Sequence, residues 1–352
     1  MTETAFAPPA DTAPTPSAHV QPADAAAAPG TVPSASVIVV SFNTCALLQR
    51  CLSQLDRACA DLPVEIIVVD NASWDGSADM VAETFPHIRL IRAPHNLGFA
   101  AANNLGWQQA QGDCLVLLNP DAFIEADTLR TALQRMQAHP DVALAGGLLL
   151  GRDGQPEPSA RLFPSPLNDL LSLTGLADRF PRSRFFGRFN RSWADPRQAA
   201  DVDWVPGAFC VIRQSVLRAV GFFDERFFLY YEEVDLCRRI KAAGHRVCYW
   251  PDLQITHFGG ESSRTLTGQN FSGHGRQLTL WRMRSMLLYY RKHHGLCTAW
   301  LSARLEMGWH GLRALKNRRC DDRRASSHGV VMHMRQAWHE TLGGRVAPPR
   351  PW

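Results

Sequence analysis

The chain has 352 residues, 45% of them hydrophobic and 20% charged, enough for one large domain with a tail or for two smaller ones. A net charge of +4 is too small to mark a nucleic-acid binder, and nine scattered cysteines with no CxxC pair fit reduced thiols rather than a zinc site or a disulfide framework. No run of about 18 apolar residues occurs and the N-terminus lacks the basic and apolar regions of a secretory signal, so a cytoplasmic protein without a membrane span is expected.

Residues 1–33 hold ten Ala, seven Pro and no Lys or Arg, and read as a disordered leader. The pattern then changes. SVIVVS (36–41), EIIVVD (65–70), IRLIR (88–92) and CLVLLN (114–119) are short β-branched or aliphatic runs, expected as buried strands. Between them, 44–58, a segment from about Ser77, and 96–110 have helical spacing. Strands and helices alternating at this interval predict βαβ units and a parallel sheet covered on both faces. Residues 151–200, rich in Pro, Arg and Phe, read as irregular. A strand is expected within 202–214, a helix over 234–245 closed by Gly244, and a last strand at 246–250. Residues 259–276 read as a mobile loop of Gly, Ser and Thr, with helical spacing from Leu278 onward.

Ligands of such sheets bind at the carboxyl ends of the strands, which singles out Ser41, Asp70 and Asn119-Pro120-Asp121. Asp70 is placed to accept hydrogen bonds from a nucleobase or ribose, or simply to cap the turn with Asn71. Asn119 and Asp121 flank a rigid Pro that either makes a plain turn or aims two oxygen ligands at a divalent cation. Glu232, Glu233 and Asp235 open a helix, where acids favour the dipole; their mutual repulsion would also raise one carboxyl towards the range of a general base. His257 closes an apolar stretch, as a core histidine or as a nitrogen ligand beside Asp121.

Taken together and in order, VVSFNT (39–44), VVDNAS (68–73), HNLGFAAANNLG (95–106), LLNPDA (117–122), WVPGAF (204–209), the segment 221–244 with its YYEEVDL, and THFGGES (256–262) resemble family 2 glycosyltransferases, in particular the bacterial rhamnosyltransferase-like branch. The resemblance spans about residues 36–262. It implies the GT-A fold, an α/β mixed sheet flanked by helices, followed here by a helical basic C-terminal tail. It divides the chain into a leader (1–33), a catalytic domain (34–262, with a nucleotide-sugar half over 34–122 and an acceptor half over 123–262), a loop with basic helices (263–325) and a tail (326–352).

By the same resemblance Ser41, Asn43, Asp70, Asn71 and Ser73 line the nucleoside pocket, and Asn96, Gly98 and Asn103 close over the donor. Asn119 and Asp121 match the metal-diphosphate motif, with Asn in place of its first Asp. His257 matches a metal-ligand histidine, and Gly207 and Ala208 a wall beside the donor sugar. Glu233 falls on the catalytic base, usually the Asp of a Glu-Asp pair, with Glu232 as the alternative and Asp235 in the same cluster. The activity implied is single-displacement, inverting transfer of a sugar, rhamnose favoured, from a dTDP- or UDP-linked donor to a glycan or lipid-linked acceptor. It would serve bacterial cell-surface polysaccharide synthesis, with Mn²⁺ or Mg²⁺ as cofactor.

Three other readings fit the sequence less well. A nicotinamide oxidoreductase would place GxGxxG after the first strand, where SFNTCALL stands. A sugar-nucleotide-binding protein without catalysis would not need the acids at 121, 232, 233 and 235. A processive synthase would carry QxxRW and membrane spans, whereas Gln277 to Trp281 lacks the Arg. From Trp281 to Cys320 nine Lys or Arg face one acid, Glu306. The helix there, with Leu301, Leu305, Trp309, Leu312 and Leu315 on one side, either packs on the domain or rests on the inner membrane surface, with Trp281 and Trp300 as further interface residues.

Overall fold

The computed structural model describes residues 32–259 and 276–350; the leader up to residue 31 and nearly all of the expected loop at 259–276 lie outside the described residues. From Val32 onward the chain forms one compact unit. Four parallel strands make the first half of its sheet: β1 (Ala35–Ser41), β2 (Val64–Asp70), β3 (Arg89–Arg92) and β4 (Cys114–Leu118). They are connected through α1 (Cys45–Cys59), α2 (Ser77–Thr84) and α3 (Gly98–Trp107). Alternate residues of each strand enter different cores. Ile38, Ile67, Val69, Leu115 and Leu117 face one side, and Val37, Val39, Val68 and Val116 the other. This explains why the strands read as unbroken apolar runs: neither face meets water.

The second half is mixed. It comprises β5 (Ala122–Ile124), α4 (Thr128–Ala138), β6 (Val142–Leu150), α5 (Pro166–Leu173), α6 (Leu176–Arg179), β7 (Ala200–Asp201), β8 (Phe209–Arg213), α7 (Gln214–Val220), α8 (Glu232–Ala242) and β9 (Arg246–His257). The strand order is β3-β2-β1-β4-β8-β6-β9-β5, with β7 also on β9. Because β8 runs antiparallel to β4, its first residue Phe209 stands opposite Leu118, so the preceding Gly207-Ala208 joins the carboxyl edge of the parallel strands. The strand expected within 202–214 is confined to β8, and the one expected at 246–250 runs on to His257, whose residue 257 pairs with Ala122. Gly146 and Gly147 let β6 lie against Val205 and Leu253, where a side chain would collide.

Two further helices follow, α9 (Arg276–Lys316), broken at Gly295 (φ 82°, ψ 177°), and α10 (Asp321–Glu340). The first part of α9 is not a surface helix. Leu280, Met283, Met286 through Leu288, Tyr289 and Tyr290 are buried in the core shared with α8, and Trp281 is buried beside them. Trp281, expected as a membrane-interface residue, stacks on Phe228 with ring centroids 4.3 Å apart. Part of the basic surplus is also spent internally, since Arg282 pairs with Glu306 at 2.7 Å, Arg284 with Glu340 at 2.6 Å and Lys292 with Asp235 at 2.7 Å.

Asp169 on α5 accepts hydrogen bonds from Tyr290 (2.6 Å) and Ser302 (2.8 Å), tying the domain to both parts of α9. Burial pushes its carboxyl up to about 6, against those hydrogen bonds. A carboxyl raised on folding gives its full stability below its unfolded value near 4, and loses it as pH climbs through the folded value. Asp169→Asn, still an acceptor for both hydroxyls, is therefore expected to gain on the wild type between pH 4 and 7, by on the order of 2 kcal/mol. Urea unfolding across that range checks this; parallel curves for the two proteins would contradict it.

Candidate active site

A cleft of about 360 Å³ opens at the carboxyl ends of the parallel strands, lined by Val40 of β1, Phe42, Asn71 just after β2, the Asn119-Pro120-Asp121 turn, Gly207-Ala208, the start of α8 and His257; Ser41, Asn43, Asp70 and Ser73 lie behind this lining. Unusual backbone lies beside it in the chain, next to the lining residues Phe42, Asn71 and Glu232. Asn43, Ala72, Tyr230 and Tyr231 all hold positive φ, at 53°, 64°, 69° and 69°. Such conformations in non-glycine residues cost roughly 1 kcal/mol or more each and gather where geometry is imposed by function.

On the β1–β2 side, Ser41 shares a hydrogen bond with Thr44 at 2.9 Å. The Asn43 N–H donates to Ser73 Oγ (3.0 Å), while Asn43 Oδ1 accepts from the Trp74 N–H (2.9 Å) and Asp70 Oδ2 from the Ser73 N–H (3.1 Å). Ser73 is thus a builder of the turn. Two buried polar atoms are left over: Asp70 Oδ1, an acceptor, and Asn43 Nδ2, a donor, have no hydrogen-bond partner among the described residues. Burial also raises the Asp70 carboxyl, against the pull of Ser73 and Arg92. A donor and an acceptor left bare at one strand edge fit the complementary edge of a nucleoside.

Asn71 and Asn96 bond mainly each other and the chain. Asn71 Nδ2 donates to Asn96 Oδ1 (3.1 Å), Asn71 Oδ1 accepts from the Leu97 N–H (2.8 Å), and Asn96 Oδ1 from the Gly98 N–H (2.9 Å). Gly98, at φ 83°, lies so close to the Phe228 carbonyl that a Cβ would collide with it. Asn103, expected to close over the donor, does not line the cleft: it sits inside α3 and donates back one turn to the Phe99 carbonyl at 2.9 Å.

On the opposite wall Asp121 and His257 face each other, with Oδ1 and Nε2 3.6 Å apart. The turn after β6 folds back to bring Glu157 to the other ring nitrogen, Nδ1, at 3.4 Å. A carboxylate behind an imidazole fixes its tautomer and leaves Nε2 free to act as a ligand. Among the described residues no group of three His, Cys, Asp or Glu surrounds one point. The chain offers one carboxylate and one imidazole, a set suited to a Mn²⁺ or Mg²⁺ ion completed by phosphate oxygens and water.

Glu232 and Glu233 both line the cleft, and each has a buried Oε2 with no hydrogen-bond partner among the described residues. Burial raises both carboxyls. Glu232 is raised further by the charge of Glu233, whereas Arg161 and the Gly207 N–H favour the charged form of Glu233. Of the two, Glu232 is raised further, so Glu233 is the member whose surroundings favour ionisation. Asp235 stands apart. It is fully buried beneath the helix and bonded to Arg239 (2.8 Å), His293 (2.7 Å) and Lys292 (2.7 Å), which outweigh burial and hold its carboxyl low. Its place is in the seam between α8 and α9, not among the residues that meet substrate. Gln277, Leu278 and Trp281 of α9 line the cleft instead, as do Phe42 and Phe228.

The profile of glycosyl transferase family 2 matches residues 36–201. The N-acetylglucosaminyl-diphospho-decaprenol L-rhamnosyltransferase of Mycobacterium tuberculosis is 28% identical over 249 residues, covering 68% of this chain and 79% of its own. Rhamnosyltransferase WbbL of Escherichia coli is 26% identical over 206 residues, 55% of this chain and 73% of its own. Among solved structures, mannosyltransferase PcManGT from Pyrobaculum calidifontis, in complex with GDP-Man and Mn²⁺, superposes with a TM-score of 0.51 at 18% identity, over 92% of this chain and 91% of its own.

Proposed function

The chain belongs to glycosyl transferase family 2 and has the family's GT-A fold, and on that premise we propose that it transfers a single sugar, rhamnose by preference, from a dTDP- or UDP-linked donor. The acceptor is a hydroxyl of a glycan or lipid-linked intermediate of cell-surface polysaccharide, and the anomeric centre inverts. The observation that carries this reading is the cleft itself, where the ionisable pair Glu232-Glu233 shares one cavity with Asp121 and His257, and where Phe42 and Asn71 are the chain neighbours of Asn43 and Asp70 with their bare polar atoms. Relatives named as rhamnosyltransferases favour rhamnose, and the Mycobacterium tuberculosis one, named for N-acetylglucosaminyl-diphospho-decaprenol, favours an acceptor on a lipid diphosphate.

In this reading Asp70 Oδ1 and Asn43 Nδ2 bond the nucleoside, and the clamped Asn71–Asn96 turn holds the loop that carries Gly98 over it. Asp121 and His257 hold a divalent cation, with Asn119 beside them; when bound, that ion offsets the charge of a departing diphosphate. Glu233 takes the proton of the acceptor hydroxyl as its oxygen attacks the anomeric carbon from the side opposite the leaving group. Glu232, protonated beside it, keeps a second negative charge out of the same pocket. Water is kept out by Phe228, Trp281 and Gly207-Ala208.

Purified protein assayed with Mn²⁺ against a panel of sugar nucleotides tests the reading. We expect acceptor-stimulated release of nucleotide diphosphate from one donor, a dTDP- or UDP-sugar. Tight donor binding with no release from any donor or acceptor would favour instead a sugar-nucleotide-binding protein.

A further inference from the structure

Beyond Gly295 the character of α9 changes. Residues 296–316 expose Leu296, Trp300, Leu301, Leu312 and Leu315, each between 43% and 67% accessible, an unusual set for one short helix. At 100° per residue these fall with Arg304, Gly308 and Gly311 in a single arc, while Ala299, Ser302, Ala303 and Glu306 are buried on the other side. Between this face and α10 lies a groove of about 800 Å³, walled by Trp300, Met307, Val331 and Trp338, with Arg304 and Arg335 along it. The Arg304 guanidinium lies over the Trp300 ring at 5.3 Å.

The charge along residues 296–319 has one sign: Arg304, Arg313, Lys316, Arg318 and Arg319 are all exposed, and the acid of that segment, Glu306, is buried and spent on Arg282. The next acids, Asp321 and Asp322 at the start of α10, are exposed, with Asp321 paired to Arg324. We propose that residues 296–340 form a docking surface for an anionic lipid bilayer. The apolar side chains enter the boundary between headgroups and acyl chains, the tryptophan lies at the interface, and the cations meet lipid phosphates. A second copy of the chain would bring the same cations and repel; an anionic surface complements them. The first part of α9 makes the docking useful. Its opening residues Gln277, Leu278 and Trp281 line the cleft, and its next turns are buried in the core, so a surface seated on the far part holds the cleft at a fixed distance from the lipid. This rests on the proposed reaction only in its purpose, since a lipid-linked acceptor would lie at that surface.

The test is co-sedimentation of the full chain with vesicles of phosphatidylcholine alone and of phosphatidylcholine with phosphatidylglycerol. Two variants accompany it: Arg313, Lys316, Arg318 and Arg319 all changed to Glu, and Leu312→Glu with Leu315→Glu. A cation near an anionic surface contributes about fivefold to binding. The wild type should therefore bind the anionic vesicles at least tenfold more tightly than the neutral ones and release at high salt. Each variant should lose at least tenfold with its melting temperature and its turnover on a soluble acceptor unchanged. Wild type that ignores anionic vesicles at low salt, or variants that bind as it does, would overturn the docking surface. A stable dimer by light scattering that the leucine variant breaks would do the same, assigning the face to a second copy. Donor turnover in the same samples reports on the reaction independently.

Discussion

Glu233→Gln is expected to lower kcat by about two to four orders of magnitude while donor affinity stays within a few-fold. The substitution keeps the size of the side chain and its bond with the Gly207 N–H, and removes only the capacity to take a proton. Glu233 is the better base of the pair because the Arg161 cation and the Gly207 N–H favour its charged form, whereas Glu232 has backbone N–H partners but no cation and feels the charge of Glu233. The wild-type rate should rise with pH through a value above the usual carboxylate range, since burial raises both groups and the base works only when ionised. That limb should vanish in Glu233→Gln. Full activity in this variant with a dead Glu232→Gln would move the base to Glu232.

Asp121→Ala should remove transfer almost entirely and leave the fold intact. Its carboxylate lies in the turn between β4 and β5 and faces the Nε2 of His257 at 3.6 Å, and in this account it supplies the charged part of the cation site. The site retains an imidazole, so calorimetric titration with Mn²⁺ should show weakened binding, by at least tenfold, in protein whose melting temperature has moved little. Wild-type turnover in EDTA equal to that in Mn²⁺ would contradict the role given to Asp121 and His257.

Much of the cleft was legible because its walls are ends of strands. A polar residue directly after a fully apolar run has no reason to be there for packing alone, and Ser41, Asp70, Asn119 and Asp121 all meet at one edge for that reason. Side-chain direction was not legible. Asp235 lies three residues beyond Glu232, yet Arg239, Lys292 and His293 draw it to the other side of α8. Asn103 belongs to a stretch that resembles a donor-closing segment, but within α3 its amide is satisfied by a carbonyl one turn back. Glu157 was missed and Trp281 was expected at a membrane instead of the cleft because their partners are remote: Glu157 meets a histidine 100 positions away, and Trp281 is stacked on Phe228. The strand β6 was missed too, since two glycines interrupt its apolar run, and only Val205 and Leu253 packed against it explain their presence. Of the basic tail the sequence conveyed the charge, but not that its first part is core.

The central claim, one-step transfer in this cleft with Glu233 as base, is tested most directly by the configuration of the product. Proton NMR of the newly formed glycoside, taken before any mutarotation or further reaction, compares its anomeric centre with that of the donor. The account predicts a product of opposite configuration, formed by the wild type and at a rate lower by at least a hundredfold by Glu233→Gln. A product that retains the donor's configuration would require two displacements and would contradict it.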